Sequence, residues 1–186
     1  SIIDVKNMFA RFTIDVIGSC GFGIEWNSLR DPNTKLLILA NDLFKAISSA
    51  KYGFCIFYPK LAQKLGLKVV PQHVSKYFLD LVRQTVEYRE KHNIRRNDFM
   101  DLLIDIKNNE PSGSLSVEEL AAQCFIFFLA GYETSSTTSS MALYELARNL
   151  NMQDKLRREI KSVLSQYNNE FSHESLSEMK YLDQII

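Results

Sequence analysis

The chain has 186 residues, 46% hydrophobic and 24% charged, and its 22 basic residues balance its 22 acidic ones. This composition is typical of a globular protein with a sizeable core, and the zero net charge argues against nucleic-acid binding. Cys20, Cys55 and Cys124 are odd in number and widely spaced, which indicates reduced thiols rather than a disulfide framework or a zinc site. No signal peptide or transmembrane segment is recognisable, and both ends interrupt an apolar pattern. We therefore expect an internal piece of a longer protein.

Apolar residues recur at helical spacing along most of the chain, and no segment alternates as a strand does. The expected fold is all-α, with about seven helices in one domain, residues 1–186, truncated at both ends and packed round a long central helix. The main predicted helices cover Val5 to Ile17, Thr34 to Ser49, Gln72 to Asn93, a shorter stretch capped by Asn97, Ser116 to Leu150, and Asn151 to Gln166.

The first helix has Asp4 as its predicted cap and an apolar face that includes Met8, Phe12 and Val16. Gly18 and the glycines after it are expected to break this helix. Their order, G-x-x-G-x-G, is not a dinucleotide-binding fingerprint because no strand precedes it. Residues 31–33 form a predicted turn, and Asn33 is expected to cap the next helix.

An aromatic-rich segment, KYGFCIFYPKLAQKLGLKVVPQ, follows the second helix and contains Pro59 and Pro71. Lys60, Lys64 and Lys68 fall at i, i+4 and i+8, with apolar residues beside them. Basic and apolar residues on a short helix are typical of a membrane-surface segment. An ordinary surface helix with solvated lysines explains the same pattern, so both interpretations stay open.

The central helix is predicted to begin at a capping box formed by Ser116 and Glu119. From Cys124 to Leu129 it is apolar on every side, which indicates a buried helix. The apolar run is shorter than the ~20 residues that a membrane span needs. Residues 108–114, just before this helix, form a predicted loop, and near the C-terminal end Ser175 and Glu178 form a second predicted capping box.

The middle of the central helix breaks the local rules of helix formation. Seven hydroxyl residues run from Thr134 to Ser140, directly after Gly131 and Glu133. Such residues are poor helix formers, and a break of this kind is often functional. Ala130 and Thr134 share a face, Gly131 permits close approach to the backbone, and Glu133 places a proton source beside a hydrogen-bond donor. A Ser/Thr-rich linker is the alternative, although MALYELARNL resumes the helical pattern afterwards.

The residues Ala130-Gly131-Tyr132-Glu133-Thr134 match the A-G-x-[DE]-T signature of the long I helix of cytochrome P-450, the haem-thiolate monooxygenases. FARFTIDVIGSCGFGIEWNSLRDPN resembles the E helix and following loop of the insect detoxification type of microsomal members. RNDFMDLLIDIKNN, NMQDKLRREI and MKYLDQII resemble the segment before the I helix, the J helix and the start of the K helix. The chain has Leu150-Asn151 where many members carry a proline.

The resemblance implies a monooxygenase that inserts one atom of dioxygen into small lipophilic substrates. Thr134 would then hydrogen-bond the dioxygen or peroxide at the haem iron, and Glu133 would belong to the proton relay. Ala130 and Gly131 would leave room over the haem. The residues expected to meet substrate are Ile126, Leu129 and Ala122.

The resemblance also implies groups that lie outside these 186 residues. None of the three cysteines sits in the F-x-x-G-x-R-x-C-x-G haem loop, so the axial thiolate and any metal ligand are expected elsewhere, and the chain alone is expected to be inactive. A flavin-containing NADPH reductase and the cytosolic face of the endoplasmic reticulum membrane are the implied partners, with no nucleic acid. The alternatives are a non-catalytic helical interaction module and a lipid-surface protein built on Lys60–Lys68.

Overall fold

The computed structural model describes residues 3–31, 33–109 and 115–186. These ranges are helical and contain no strand, which confirms the predicted all-α class. They form ten α-helices, more than expected, because residues 50–64 and the stretch after Gln166 each hold two short ones. The helices are α1 (Val5–Ile17), α2 (Lys35–Ile47), α3 (Ala50–Phe57), α4 (Pro59–Lys64), α5 (Gln72–His92), α6 (Phe99–Asn109), α7 (Val117–Arg148), α8 (Leu150–Gln166), α9 (His173–Glu178) and α10 (Lys180–Ile185).

The helices group into two compact units. The larger unit is Ala10–Glu133, and the smaller unit combines Ser1–Phe9 with Thr134–Ile186. Helices α1 and α7 each contribute one part to either unit. Within the described ranges, every helix is too short or too polar to span a bilayer.

Phe78 of α5 lies at the centre of the larger unit and is 2% exposed. Its ring centroid lies 5.1 Å from that of Phe128, 5.2 Å from that of Phe125 and 6.2 Å from that of Phe22. Tilted and edge-on ring pairs of this kind add to the free energy gained from burying the rings. The aromatic cluster therefore holds α5 against the N-terminal half of α7.

Helix α1 buries a different face from the one that its largest side chains predict. Asp4 caps the helix as expected, since its Oδ1 accepts the N–H of Asn7 at 3.0 Å. However, Met8, Phe12 and Val16 are exposed, and the buried face consists of Ala10, Thr13, Ile14 and Ile17. The helix carries two apolar stripes, and the one with smaller side chains allows the closer helix packing.

Helix α1 ends at Ile17, as the glycine at position 18 predicts, but the chain then continues through one π-helical segment, Gly18–Phe22. The turn ends at Gly23, whose φ of 62° is left-handed and whose N–H donates to the Ser19 carbonyl. Glycine adopts this conformation at little steric cost. The predicted end of the α-helix is therefore confirmed, and the π-helical turn that follows it is an addition to the prediction.

Helix α2 begins at Lys35 with Thr34 in the cap position, and the predicted cap by Asn33 is wrong. The N–H of Asn33 instead donates to Asp31 Oδ1 at 2.9 Å. Pro32 and residues 110–114 of the predicted loop lie outside the described residues, while 108 and 109 still belong to α6.

The predicted lysine helix is also shorter than the i, i+4, i+8 pattern indicates. Helix α4 ends at Lys64, and Gly66 follows with a φ of 63°. The N–H of Leu67 donates to the Ala62 carbonyl at 3.0 Å and that of Gly66 to the Gln63 carbonyl at 3.1 Å. These two bonds form a Schellman motif, which stops the helix before Lys68.

In the smaller unit, the second predicted capping box is shifted by one turn. Ser172, not Ser175, is the N-cap of α9, and its Oγ accepts the N–H of Ser175 at 3.1 Å. Ser175 returns the bond through its own Oγ, where the sequence motif requires Glu or Gln. Glu159 of α8 then caps α10 by accepting the N–H groups of Tyr181 and Leu182 at 2.7 and 2.9 Å.

A buried ion cluster joins α5 to α6 in the larger unit. Arg89 is 4% exposed and donates to Asp98 at 2.6 Å, to Asp101 at 2.6 Å and to the Phe22 carbonyl at 2.9 Å. Burial opposes ionisation of Asp101, but the N–H groups of Arg96 and Asn97 together with the Arg89 guanidinium outweigh it, so the pKa of Asp101 lies below its usual value. The cluster fixes the π-helical turn against both helices.

We predict that Arg89→Met lowers the free energy of unfolding of the whole protein by about 3–5 kcal/mol, because two buried carboxylates lose their counter-charge. Arg157→Met is the matched control, since its pair with Asp154 is exposed and such pairs contribute only about 0–1 kcal/mol. Thermal and urea unfolding measure both. An equal loss in the two variants would contradict the structural role of the cluster.

The lowered pKa of Asp101 makes part of this stability pH-dependent. Its contribution is present above the pKa that the carboxyl has in the unfolded chain. It is lost as the pH falls through the lower pKa of the folded state. We expect Asp101→Asn to flatten the fall in melting temperature in this acidic range, and an unchanged slope would argue against the assignment.

Candidate functional site

Helix α7 carries the residues that the sequence singles out, and its start is built as predicted. Ser116 Oγ accepts the N–H of Glu119 at 3.2 Å, and Glu119 Oε2 accepts the N–H and the hydroxyl of Ser116, both at 2.8 Å. The hydrogen bonds that Glu119 accepts from Ser116 lower its pKa, and the bond from the Ser116 N–H has the largest effect. The capping box is thus confirmed, and from it the helix runs without interruption through the whole motif to Arg148.

Helix α7 has one buried face and one exposed face. The buried face repeats every four residues and consists of Leu120, Cys124, Phe128, Tyr132 and Ser136. The exposed face consists of Ala122, Ile126, Ala130 and Thr134. Each of these residues follows a residue of the buried face by two positions and so lies about 200° from it round the helix axis. We call this second set the exposed stripe.

The prediction of a helix buried on every side is therefore wrong for this chain. Ile126 is 58% exposed and Phe127 37% exposed. The sequence pattern shows that side chains on every side of the helix are apolar. It does not show whether another part of the protein packs against each of them. An exposed apolar surface of this kind marks a contact surface.

Gly131 contacts α1. A Cβ built on Gly131 would lie 2.6 Å from Cδ1 and 3.1 Å from Cγ1 of Ile17. The close approach to the backbone that glycine permits is thus made by Ile17, about 100° round the helix axis from Ala130. A direct role of Gly131 in leaving space for dioxygen stays a prediction.

Tyr132 occupies the variable position of the motif, for which the resemblance implies no role. It is 3% exposed, its ring stacks on Phe128 with a 5.7 Å centroid separation, and it meets Phe44 of α2 at 5.6 Å. Burial and, secondarily, the charge of Glu133 raise the pKa of Tyr132 to about 12. Tyr132 therefore anchors the motif in the core; the i, i+4 spacing of Phe128 and Tyr132 is the signal that could have shown it.

The hydroxyl run is helical, so the linker interpretation is wrong. Ser136 is fully buried, and its Oγ accepts a hydrogen bond from Lys6 Nζ at 2.9 Å. Thr137 Oγ1 accepts a second hydrogen bond from the same ammonium group at 2.5 Å. Ser140 Oγ donates to the Ser136 carbonyl at 2.6 Å. Part of the run is thus satisfied inside the smaller unit. Nothing local in the sequence marks Lys6 as the partner.

The remaining predicted residues are spread along α7. Glu133 and Leu129 are half-buried, and Thr134 is exposed. Ala122 lies three turns before Thr134, about 18 Å along the axis, and lines an apolar cavity of 270 Å³ with Phe78, Ala121 and Phe125 among its other walls. Ala130, Glu133 and Thr134 fall within about one turn of the helix, whereas Ala122 belongs to a separate part of its surface.

The described residues contain no group of three or more His, Cys, Asp or Glu side chains arranged to hold a metal ion. The three cysteines are free thiols, and Cys55 and Cys124 are buried. Burial, with a smaller contribution from the charge of Asp98, raises the pKa of Cys124 to about 12. Because a thiolate is the form that binds iron, Cys124 is a poor metal ligand.

We predict that Gly131→Ala lowers the melting temperature of the whole protein, since overpacking of a buried contact costs about 1–3 kcal/mol. Ile17→Val removes the Cδ1 atom that the new Cβ meets at 2.6 Å. The double variant should therefore recover part of the loss and be more stable than the sum of the single changes indicates. Strict additivity in a thermal double-mutant cycle would contradict the contact.

Comparisons with known proteins identify the family to which the chain belongs. The cytochrome P450 family model matches residues 1–186. The chain is 46% identical to cytochrome P450 6a9 of Drosophila melanogaster and 45% identical to cytochrome P450 6A1 of Musca domestica, in each case over 100% of the chain and 38% of the relative. The chain thus spans well under half the length of these relatives. A match over every residue places it in one family: the chain belongs to the cytochrome P450 family.

Proposed function

We propose that this chain is the oxygen-activating and substrate-facing part of a haem-thiolate monooxygenase that inserts one oxygen atom into small lipophilic molecules. The observation that carries the proposal is the exposed stripe of α7, which presents small and apolar side chains and ends at Thr134. Helix α7 is buried on its other face by its own chain. The exposed stripe is therefore the surface on which a flat apolar cofactor and a lipophilic substrate fit.

The residues present suit the periphery of a haem but not its axial bond. Ala130 projects only a methyl group from the exposed stripe, which leaves room beside the helix, whereas the buried Cys124 stays protonated. The axial thiolate is thus proposed to come from outside these 186 residues. When bound, the haem supplies the redox chemistry, and the protein supplies orientation, protons and exclusion of water.

Each predicted site residue of α7, in the exposed stripe or next to it, has a proposed task. The Thr134 hydroxyl holds a proton by hydrogen bonding at the oxygen-binding position, and the Glu133 carboxyl passes protons toward it. Ala130 and Gly131 keep the backbone narrow at that point. Ile126 and Leu129 contact substrate and exclude water, and Ala122 does so further along the helix.

Electrons are proposed to come from a flavin-containing NADPH reductase. The non-catalytic alternative assigns the hydroxyl run to packing alone. Burial of Ser136 fits that assignment, whereas Thr134 and Thr138 are exposed, and the match to the cytochrome P450 family supports the enzyme.

A second surface supports attachment to the cytosolic face of the endoplasmic reticulum membrane. Around the junction of α3 and α4, large apolar side chains are exposed beside the lysines at 60 and 64; these are Ile56, Phe57, Tyr58, Leu61 and Leu65. Exposed aromatic and aliphatic groups beside lysines are the combination that inserts at a lipid interface. We propose that this surface, the α3–α4 patch, lies on the membrane.

The catalytic roles predict a change in coupling. In the whole protein, Thr134→Ala should still consume NADPH but release more peroxide and less product, because the hydroxyl that directs protons is missing. Acid–base assistance of this kind contributes about 10²–10⁴-fold, and water that replaces the hydroxyl reduces the loss. Thr134→Ser should recover much of the coupling, and Glu133→Gln should shift it in the same direction as alanine. Product, peroxide and NADPH are measured together.

Thermal unfolding of the same three variants provides the control. A purely structural hydroxyl predicts a lower melting temperature for Thr134→Ala and an unchanged ratio of product to NADPH. Unchanged coupling in all three variants would remove both catalytic roles.

The α3–α4 patch predicts membrane binding that depends on charge. Changing Lys60, Lys64 and Lys68 to Glu should weaken flotation with vesicles containing phosphatidylserine and reduce the salt dependence, since each basic residue near an anionic surface contributes about 1 kcal/mol. Any separate spanning anchor is removed from the protein first. The matched control changes three exposed lysines elsewhere, Lys76, Lys91 and Lys161, to Glu. Equal flotation of both triple variants would contradict the assignment.

A further inference from the structure

Helix α1 contacts the backbone of α7 at two consecutive residues of the motif. Thr13, 6% exposed, has its Oγ1 3.1 Å from the Ala10 carbonyl oxygen and 3.2 Å from the Tyr132 carbonyl oxygen. A hydroxyl has one proton, so these two carbonyls share it. Ile17, one turn later on α1, occupies the space left by the missing side chain of Gly131.

These two contacts restrict two different movements of α7: its distance from α1 and its local tilt. The gap left by the missing side chain of Gly131, here called the notch, sets how closely the two helix axes approach. Any side chain at this position would meet Ile17. The hydrogen bond is directional, and it is made to a carbonyl whose ordinary partner in the helix is the N–H one turn later. An additional donor at such a carbonyl bends or tilts a helix locally.

The contacts lie between the residues that the proposed chemistry uses. Gly131 and Tyr132 separate Ala130 from Glu133 in the chain, and the Tyr132 ring is held in the core by Phe128 and Phe44. A rotation of α7 about its axis would redirect Ala130 and the Glu133 carboxyl together. Thr13 and Ile17 oppose that rotation through their contacts with Tyr132 and Gly131.

We propose that Thr13 and Ile17 are positioning residues, which fix the rotation of α7 at Gly131–Tyr132 and so the direction in which Ala130 and Glu133 project. Both act through the α7 backbone and touch neither substrate nor haem. The inference rests on the proposed monooxygenase function for its catalytic consequence, but the mechanical part concerns α7 alone.

The test compares Thr13→Val, which keeps the shape and removes the donor, with Thr13→Ser, which keeps the donor. The control is Thr85→Val, because Thr85 Oγ1 donates to the Leu81 carbonyl at 2.8 Å within α5, away from the motif. The whole protein is studied by amide hydrogen exchange of peptides from residues 125–140 and by the ratio of product to NADPH.

We expect Thr13→Val to accelerate exchange in this segment about two- to tenfold, the factor that one net hydrogen bond contributes to an opening equilibrium. The ratio of product to NADPH should fall in parallel, and Thr13→Ser should restore both. Thr85→Val should leave both unchanged whatever its effect on the melting temperature.

Wild-type exchange and coupling in Thr13→Val would overturn the proposal, as would an equal change in Thr85→Val. If Thr13→Val does not fold, Ile17→Val tests the proposal instead, because it opens the notch by removing only Cδ1. Faster exchange and a lower ratio of product to NADPH in Ile17→Val would support the proposal. No change in either would overturn it. A wild-type protein without a thiolate-type carbon monoxide spectrum or product would instead overturn the proposed function, while the exchange result would still decide the role of Thr13.

Discussion

A helix that is apolar on all sides requires partners on all sides, and this constraint governs the whole structure. Helix α7 meets it on one face only, where Phe78, the α1 residues and the rings around Tyr132 cover it. The opposite face, from Ala122 to Thr134, remains open within the described residues. The same holds for Met8, Phe12 and Val16 on α1. These exposed apolar faces are thus the places where the chain needs a further partner, and the exposed stripe of α7 is one of them.

Sequence reasoning succeeded where a local interaction decides the structure. The Asp4 cap, the Ser116–Glu119 box and the bounds of α1 and α5 follow from contacts within four residues, and the structure confirms them to within a residue. It failed where a neighbour distant in the chain decides. The buried face of α1 depends on the space at Gly131, and the π-helical turn after it is held by Arg89, some 70 residues later. No periodicity contains that information.

The motif on α7 shows the same difference between what local sequence indicates and what distant residues determine. The hydroxyl run after a glycine and an acid breaks the local rules of helix formation and so marks the segment, while the match to A-G-x-[DE]-T indicates the family. How it is supported was not readable, since Thr13, Ile17 and Lys6 lie more than 110 positions earlier and have no unusual local pattern. The groups that hold a functional segment in place are often ordinary residues, and only the fold brings them to it.

The unequal burial of the three cysteines has a practical consequence. Cys55 and Cys124 are shielded, and the raised pKa of Cys124 keeps that thiol in its unreactive form at neutral pH. Cys20 alone of the three is exposed, and it sits on the π-helical turn between α1 and the Arg89 cluster. Within this chain, a maleimide-linked spin label or fluorophore would therefore attach at one place without any engineering. A probe there would report on the movement of the turn that ends the helix packed against Gly131.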